Sequence, residues 1–267
     1  MRVHLLQLDL DWENPLANQH RIGRLLDQVP EADLLVLPEM WNTGFSMEAS
    51  RLAETMQGPS IQWMKELALK RNAVVIGSLI IEESGSRYFN RALAISPDGI
   101  LGQYDKRHTF RMAGEHEVFD SGTEQTIISW KGWKICLQVC YDLRFPVWSR
   151  NRVNADGELE YEVLVYVANW PKARVSHWDA LLQARAIENQ SYVIGVNRAG
   201  TDGNGIYYPG HSAVHDPLGK SLVASDTSDE RLLSATLDKE MMVRYRKKFP
   251  AWQDADAFEL GGVPGRK

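Results

Sequence analysis

The chain has 267 residues, 44% of them hydrophobic and 24% charged, with a formal net charge of −5. That size and balance suit a globular protein with one large α/β domain, expected to span residues 1–267. They argue against nucleic-acid binding, which needs a basic excess, and no run approaches the roughly 20 apolar residues of a membrane span.

The N-terminus, residues 1–12, carries acids where a signal peptide needs an unbroken apolar core, so a cytoplasmic protein is expected. Residues 3–10 read as a strand. Asn14-Pro15 opens a helix with Leu16, Ile22, Leu25, Leu26 and Val29 on one face, stopped by Pro30. Residues 33–37 are a continuous apolar run, as in a strand buried on both faces; Pro38 ends it and Glu39 is the first residue beyond. A helix is predicted over 60–71 and a strand over 73–81. Gly85 turns the chain into a strand over 91–96, and Pro97-Asp98-Gly99 turns it into another over 100–104.

The second half repeats the scheme with a strand over Trp133–Val139, a helix around 147–150, an exposed polar loop over 151–158 and a buried strand over 162–168. A helix over 175–190, a strand over Tyr192–Asn197, a hairpin at Pro217-Leu218-Gly219 and a strand over 231–237 complete it. Two strand–helix–strand halves joined by hairpins predict a four-layer αββα sandwich with two mixed β-sheets. No sequence repeat, low-complexity tract or linker is visible. The tail over 241–260 carries Tyr245, Phe249, Trp252 and Phe258, so it is expected to pack on its own domain or on a partner subunit.

Chemistry concentrates where the strand ending at Val139 meets Cys140-Tyr141-Asp142-Leu143-Arg144-Phe145-Pro146, since Pro146 biases Phe145 away from helical dihedrals. A thiol on such an elbow has backbone N–H groups beside it, and a following helix N-terminus favours the thiolate. The competing reading makes Cys140 a small buried hydrophobe; for Cys136, in mid-strand, the core reading wins. The two cysteines are badly placed to pair, which points to a reducing compartment. A reactive thiol needs a base, an oxyanion donor and a proton for the leaving group. Glu39 and Lys106 each directly follow a strand, where ligands gather in α/β sheets. A capping or salt-bridged Glu39 and a solvated Lys106 are the alternatives, and only the three residues together favour chemistry. His108, His177, His211 and His215 lack metal-ligand spacing, so no metal and no cofactor are expected. Asp202-Gly203-Asn204-Gly205 reads as a loop at a pocket rim rather than a phosphate cradle.

Three ordered blocks, Leu37-Pro38-Glu39-Met40, Tyr104-Asp105-Lys106-Arg107-His108 and Val139-Cys140 through Pro146, resemble the signatures of the nitrilase (carbon–nitrogen hydrolase) superfamily. The resemblance extends over nearly the whole chain, through Gly114-Glu115-His116, Ala168-Asn169-Trp170-Pro171 and Arg185-Ala186-Ile187-Glu188-Asn189-Gln190. Together with Arg244-Tyr245-Arg246-Lys247-Lys248-Phe249-Pro250-Ala251-Trp252, it looks most like the omega-amidase branch. The resemblance implies the αββα fold and a catalytic set of Glu39 as base, Lys106 and the Tyr141 N–H as oxyanion donors, and Cys140 as nucleophile. It also implies that Glu115, the second glutamate, orients the lysine or the substrate amide. Many relatives carry a glutamate where this chain has Val147, and Asn-Phe-Pro where it has Asn169-Trp170-Pro171; both departures are expected at the pocket wall.

The leading expectation is an amidase for the monoamides of small dicarboxylic or 2-oxo dicarboxylic acids. The alternatives are an N-carbamoyl amidohydrolase or nitrilase using the same thiol, and a non-catalytic scaffold, for which one of Glu39, Lys106 or Cys140 should be replaced. The remote carboxylate of an omega-amide needs a cationic partner. Arg144, Lys172 and Arg174 are candidates, the loop after Trp170 is favoured with Trp170 as an apolar wall, and Arg185 is expected to pair with Glu188. A homodimer or higher homo-oligomer is expected from the aromatic tail (residues 241–267) and the resemblance.

Overall fold

The apolar runs become the strands of two six-stranded mixed sheets in a computed structural model, which describes residues 1–27 and 29–260. The first half contributes β1 (Arg2–Gln7), α1 (Pro15–Leu26), β2 (Leu34–Val36), α2 (Ala49–Leu52), α3 (Pro59–Arg71), β3 (Val74–Glu83), β4 (Arg87–Ser96), β5 (Gly99–Asp105) and α4 (Glu115–Val118). The second contributes β6 (Thr126–Trp130), β7 (Trp133–Val139), β8 (Val163–Ala168), α5 (Val175–Asn189), β9 (Tyr192–Asn197), β10 (Ala199–Thr201) and β11 (Tyr207–Pro209). β12 (Ala213–His215), β13 (Ser221–Ala224), β14 (Arg231–Thr236) and α6 (Lys239–Lys248) follow.

One sheet is ordered β14-β1-β2-β3-β4-β5 and the other β6-β7-β8-β9-β12-β13. In those directions both show the same succession of antiparallel, parallel, parallel, antiparallel and antiparallel pairings. The halves therefore share a topology without a sequence repeat. α3 and α5 occupy equivalent places, and each ends on a left-handed residue, Asn72 and Gln190, whose N–H closes on carbonyls of the last turn.

Val3, Leu5, Val36, Ile76 and Ala94 of the first sheet share a core with Ile135, Leu137, Val139, Val165 and Val167 of the second. On the first sheet's other face, Leu6, Leu35, Leu37 and Val75 pack with Ile22 and Leu26 of α1 and Ile61, Met64 and Ala68 of α3. Trp178 and Leu182 of α5 cover the second sheet, and Gly195 of β9 lets them approach closely: a Cβ there would lie 2.4 Å from Leu182. The layers are helix, sheet, sheet, helix, as expected. Each fully buried aliphatic side chain contributes roughly 1.5–3 kcal/mol.

Several elements differ from the sequence reading. The helix expected over 147–150 is absent; a 3-10 turn over Cys140–Arg144 takes its place, followed by a plain turn. The predicted loop over 151–158 begins with a buried Asn151, whose side chain bonds both the N–H and the carbonyl of Tyr161. The tail packs on its own domain through α6: Met242 enters the core, Arg246 donates to the Gln190 carbonyl, and Gln190 donates to the Phe249 carbonyl. Residues 261–267 of the expected packing segment lie outside the described residues. Among the described residues, no helix is long and apolar enough to cross a membrane.

Candidate active site

β2, β5, β7 and β8 all end on one edge of the paired sheets, because β1, β2 and β3 run parallel, β5 runs with them, and β7, β8 and β9 run parallel. Beyond those ends stand Glu39, Lys106, Cys140 and Asn169. Glu39 and Asn169 follow the equivalent middle strands of the two sheets, and they bond each other. The Asn169 N–H donates to Glu39 Oε2 at 2.9 Å, and its Nδ2 donates to the Glu39 carbonyl at 2.8 Å and to Oε2 at 3.3 Å.

Lys106 Nζ donates to Glu39 Oε1 at 2.8 Å and to both oxygens of Glu115 at 2.9 Å. All three side chains are buried. Burial opposes the lysine's charge, but Glu115 and Glu39 outweigh it and hold the ammonium above its ordinary range. Lys106 is therefore a fixed cation, suited to stabilising an oxyanion and not to removing a proton. Burial raises Glu115, against Lys106, and the neighbouring Glu39 raises it further. The Phe110 N–H also donates to Glu115, fixing α4 under the lysine.

Cys140 has φ +43°, in the left-handed region that non-glycine residues rarely occupy. Asp142 holds it there, with Oδ2 accepting from the Val139 N–H at 3.0 Å and from the Tyr104 hydroxyl at 2.8 Å. Its Oδ1 accepts from the His108 N–H at 3.0 Å and meets His108 Nδ1 at 2.7 Å. Such strain costs roughly 1–3 kcal/mol and persists only where the surroundings over-determine it. The local dipoles of the elbow, which favour the thiolate, are outweighed here. Burial pushes the Cys140 thiol well up, Glu39 adds to this, and Lys106 only partly opposes it. The thiol points at the Asn169 carbonyl, 3.8 Å from Sγ. Cys136 is a core thiol pushed up to about 12 by burial.

The thiol opens into a cavity of ≈ 270 Å³ lined by Lys106, Cys140, Tyr141, Arg144, Trp170 and Arg174, among others. Arg144 lies over the Trp170 ring, 4.9 Å from its centroid, and Arg174 over Phe110 at 5.2 Å. The cavity does not include Lys172, whose ammonium sits over the Tyr207 ring instead; the 3-10 turn over Lys172–Arg174 brings only its last residue to the wall. Val147 is 55% exposed and off the cavity, so that departure does not shape the wall, whereas Trp170 does. Arg185 pairs with Glu188 at 3.1 Å, as expected, and also donates to the Leu143 carbonyl behind the elbow.

Sequence reasoning missed Asn90, Asp142 and Tyr208. Asn90 bonds both glutamates; Tyr208 lines the cavity and donates to Asp202, placing the Asp202–Asn204 loop at the rim. Asp142 had a signal within the cysteine block itself, since an acid three residues past a strand end can accept the strand's last N–H.

The carbon–nitrogen hydrolase family model matches residues 2–247. "Omega-amidase YafV" of Escherichia coli (strain K12) is 46% identical over 261 residues, 97% of this chain and 98% of that protein. "2-oxoglutaramate amidase" of Bacillus subtilis (strain 168) is 31% identical over 255 residues, covering 94% and 96%. The crystal structure of XC1258 from Xanthomonas campestris, described as a CN-hydrolase superfamily protein with an arsenic adduct in the active site, superposes with a TM-score of 0.94. It is 42% identical, over 98% of this chain and 99% of that one. With the buried Glu39–Lys106–Glu115 network beside a cavity-facing Cys140, these likenesses establish that the chain belongs to the carbon–nitrogen hydrolase family, on the omega-amidase branch of the nitrilase superfamily.

Proposed function

We propose that the protein hydrolyses the terminal amide of small dicarboxylic or 2-oxo dicarboxylic acid monoamides, of the 2-oxoglutaramate and 2-oxosuccinamate type, through a thioester on Cys140. The observation that carries this reading is the buried Glu39–Lys106–Glu115 network beside the Cys140 thiol, opening on a small cavity with two arginines. Glu39 takes the proton from Cys140 as sulfur attacks the amide carbon. The carbonyl electrons move to oxygen, where Lys106 Nζ and the Tyr141 N–H hold them; the first N–H groups of a helical turn lack intrahelical partners. Glu39 already accepts four contacts, so its longest, from Asn169 Nδ2 at 3.3 Å, yields to the thiol. The intermediate collapses as Glu39 returns the proton to departing ammonia, and Glu39 then activates the water that releases the acid. Loss of one oxyanion donor should cost about 3 kcal/mol, or 10²–10³ in kcat.

The cavity is smaller than the roughly 300–1,000 Å³ of drug-sized sites, which favours a compact amide. Arg144 and Arg174 are the candidates for its carboxylate, with Trp170 as the apolar wall. Two buried free thiols support a reducing, cytoplasmic setting. Ammonia release from 2-oxoglutaramate, 2-oxosuccinamate, succinamate, glutamine and an N-carbamoyl amino acid tests the proposal. The first three should lead; preferential turnover of the carbamoyl compound would favour the carbamoylase reading, and turnover of none would refute both.

A further inference from the structure

Among the described residues two side chains bond both Glu39 and Glu115. Lys106 is one; the other is neutral. Asn90, on β4 and 1% exposed, donates one Nδ2 hydrogen to Glu39 Oε1 at 2.8 Å and the other to Glu115 Oε1 at 3.1 Å. Its carbonyl oxygen Oδ1 is buried without a hydrogen-bond partner. The reverse amide orientation would set that oxygen against two carboxylates, so the assignment is chemically fixed. An asparagine that only filled the strand would satisfy both ends of its amide. This one leaves its acceptor empty to aim both donors at the two acids, and its backbone carbonyl receives the Lys106 N–H at 3.0 Å.

We propose that Asn90 is a positioning residue for the base: it bridges the two carboxylates, so that Glu39 is held where it accepts the Cys140 proton and the cluster as a whole resists protonation. The inference rests on Glu39 being the base, as proposed above. The groups converging here are Glu39 beyond β2, Lys106 beyond β5, Glu115 on α4, Cys140 beyond β7 and Asn169 beyond β8. Two buried carboxylates share one ammonium, so the site carries an excess negative charge and tends to take up a proton. Amide donors favour the charged forms without adding charge of their own. An aspartate at 90 would add a third anion, a serine would keep one donor, and an alanine none. The proton belongs to the cluster, and its uptake appears as one macroscopic step.

The test is the pH profile of kcat/KM for succinamate, together with the pH dependence of Cys140 alkylation by iodoacetamide, in the wild type, Asn90→Ser, Asn90→Ala and the isosteric Asn90→Asp. The acid limb should move to higher pH, least for Asn90→Ser, by about one unit for Asn90→Ala, and further for Asn90→Asp. KM should change by less than about threefold, and Asn90→Ala should regain part of its loss at high pH. A purely structural role would lower the profile at every pH without moving the limb. Any folded variant of the three whose acid limb coincides with that of the wild type overturns the inference. Glu39→Gln separates the two readings: if it stays active, the assignment of the base falls; if it is inactive while the Asn90 limbs stay put, only the role of Asn90 falls.

Discussion

At the scale of single residues, the chemistry rests on charges placed where they cannot relax. Lys106 between Glu39 and Glu115 is a buried ion triad, and breaking such a group by removing one member costs about 3–5 kcal/mol, because the remaining charges stay buried. Lys106→Met should therefore lower stability in urea by that amount and reduce kcat at least 10²-fold; normal turnover would remove lysine from the oxyanion role. Lys106→Arg keeps the charge and should be nearly as inactive, since a guanidinium cannot replace a compact ammonium in this space. The sequence blocks pointed to Glu39, Lys106 and Cys140, because residues beyond strand ends stand out against apolar runs, while Glu115, on α4, was reached only through the family resemblance. Asn90 was not legible: within β4 it is one polar residue in a buried strand, and only the approach of two distant acids gives it meaning. The balance acting on the thiol was only half legible for a related reason, since an elbow's local dipoles are visible in sequence and the burial and nearby Glu39 that oppose them are not.

The elements themselves were legible wherever a long apolar period carried them. α3 and α5 lie within a residue of their expected bounds, and the buried strands sit where Val, Ile and Leu run together. Missed elements were short or irregular. β6 is five residues with partial exposure, and β10 and β11 are three residues each, too short for a period to register. The expected helix at 147–150 failed because Asp142 draws the chain into a 3-10 turn immediately after Val139, leaving Pro146 to start a simple turn. The packing of α5 on β9 makes its own prediction. A Cβ at Gly195 would also lie 2.8 Å from Trp178, and neither side chain is free to retreat from a filled core. Gly195→Ala should destabilise by about 1–3 kcal/mol, lowering Tm by roughly 2–4 °C per kcal/mol in a chain of this size. An unchanged Tm would mean that the layers are less tightly seated than described.

For the whole molecule, the repeated topology explains why the site lies where it does. Two sheets with the same succession of pairings meet face to face, so the ends of their equivalent middle strands, carrying Glu39 and Asn169, come into hydrogen-bond contact. Glu39 and Lys106 arrive from one half and Cys140 and Asn169 from the other, so neither half alone holds the whole proposed set. The tail docks through α6, yet Val243, Phe249 and Phe258 remain exposed. We expect this surface to meet a second copy, and closed twofold association is the commonest solution. Sedimentation at micromolar concentration should give a particle of twice the 30.3 kDa chain mass or more; a monomer would contradict it.

The proposed reaction is acylation of Cys140 by a small amide held through its remote carboxylate. It is tested most directly by kcat/KM for ammonia release from succinamate against butyramide, which lacks that carboxylate, in the wild type, Arg144→Ala, Arg174→Ala and Cys140→Ala. A charge-assisted hydrogen bond contributes about 1.5–3 kcal/mol, so the wild type should prefer succinamate by roughly 10- to 150-fold. One of the two arginine variants should lose most of that preference, and Cys140→Ala should release no ammonia from either amide. Equal kcat/KM for the two amides in the wild type would contradict carboxylate recognition, and turnover by Cys140→Ala would contradict the thioester route.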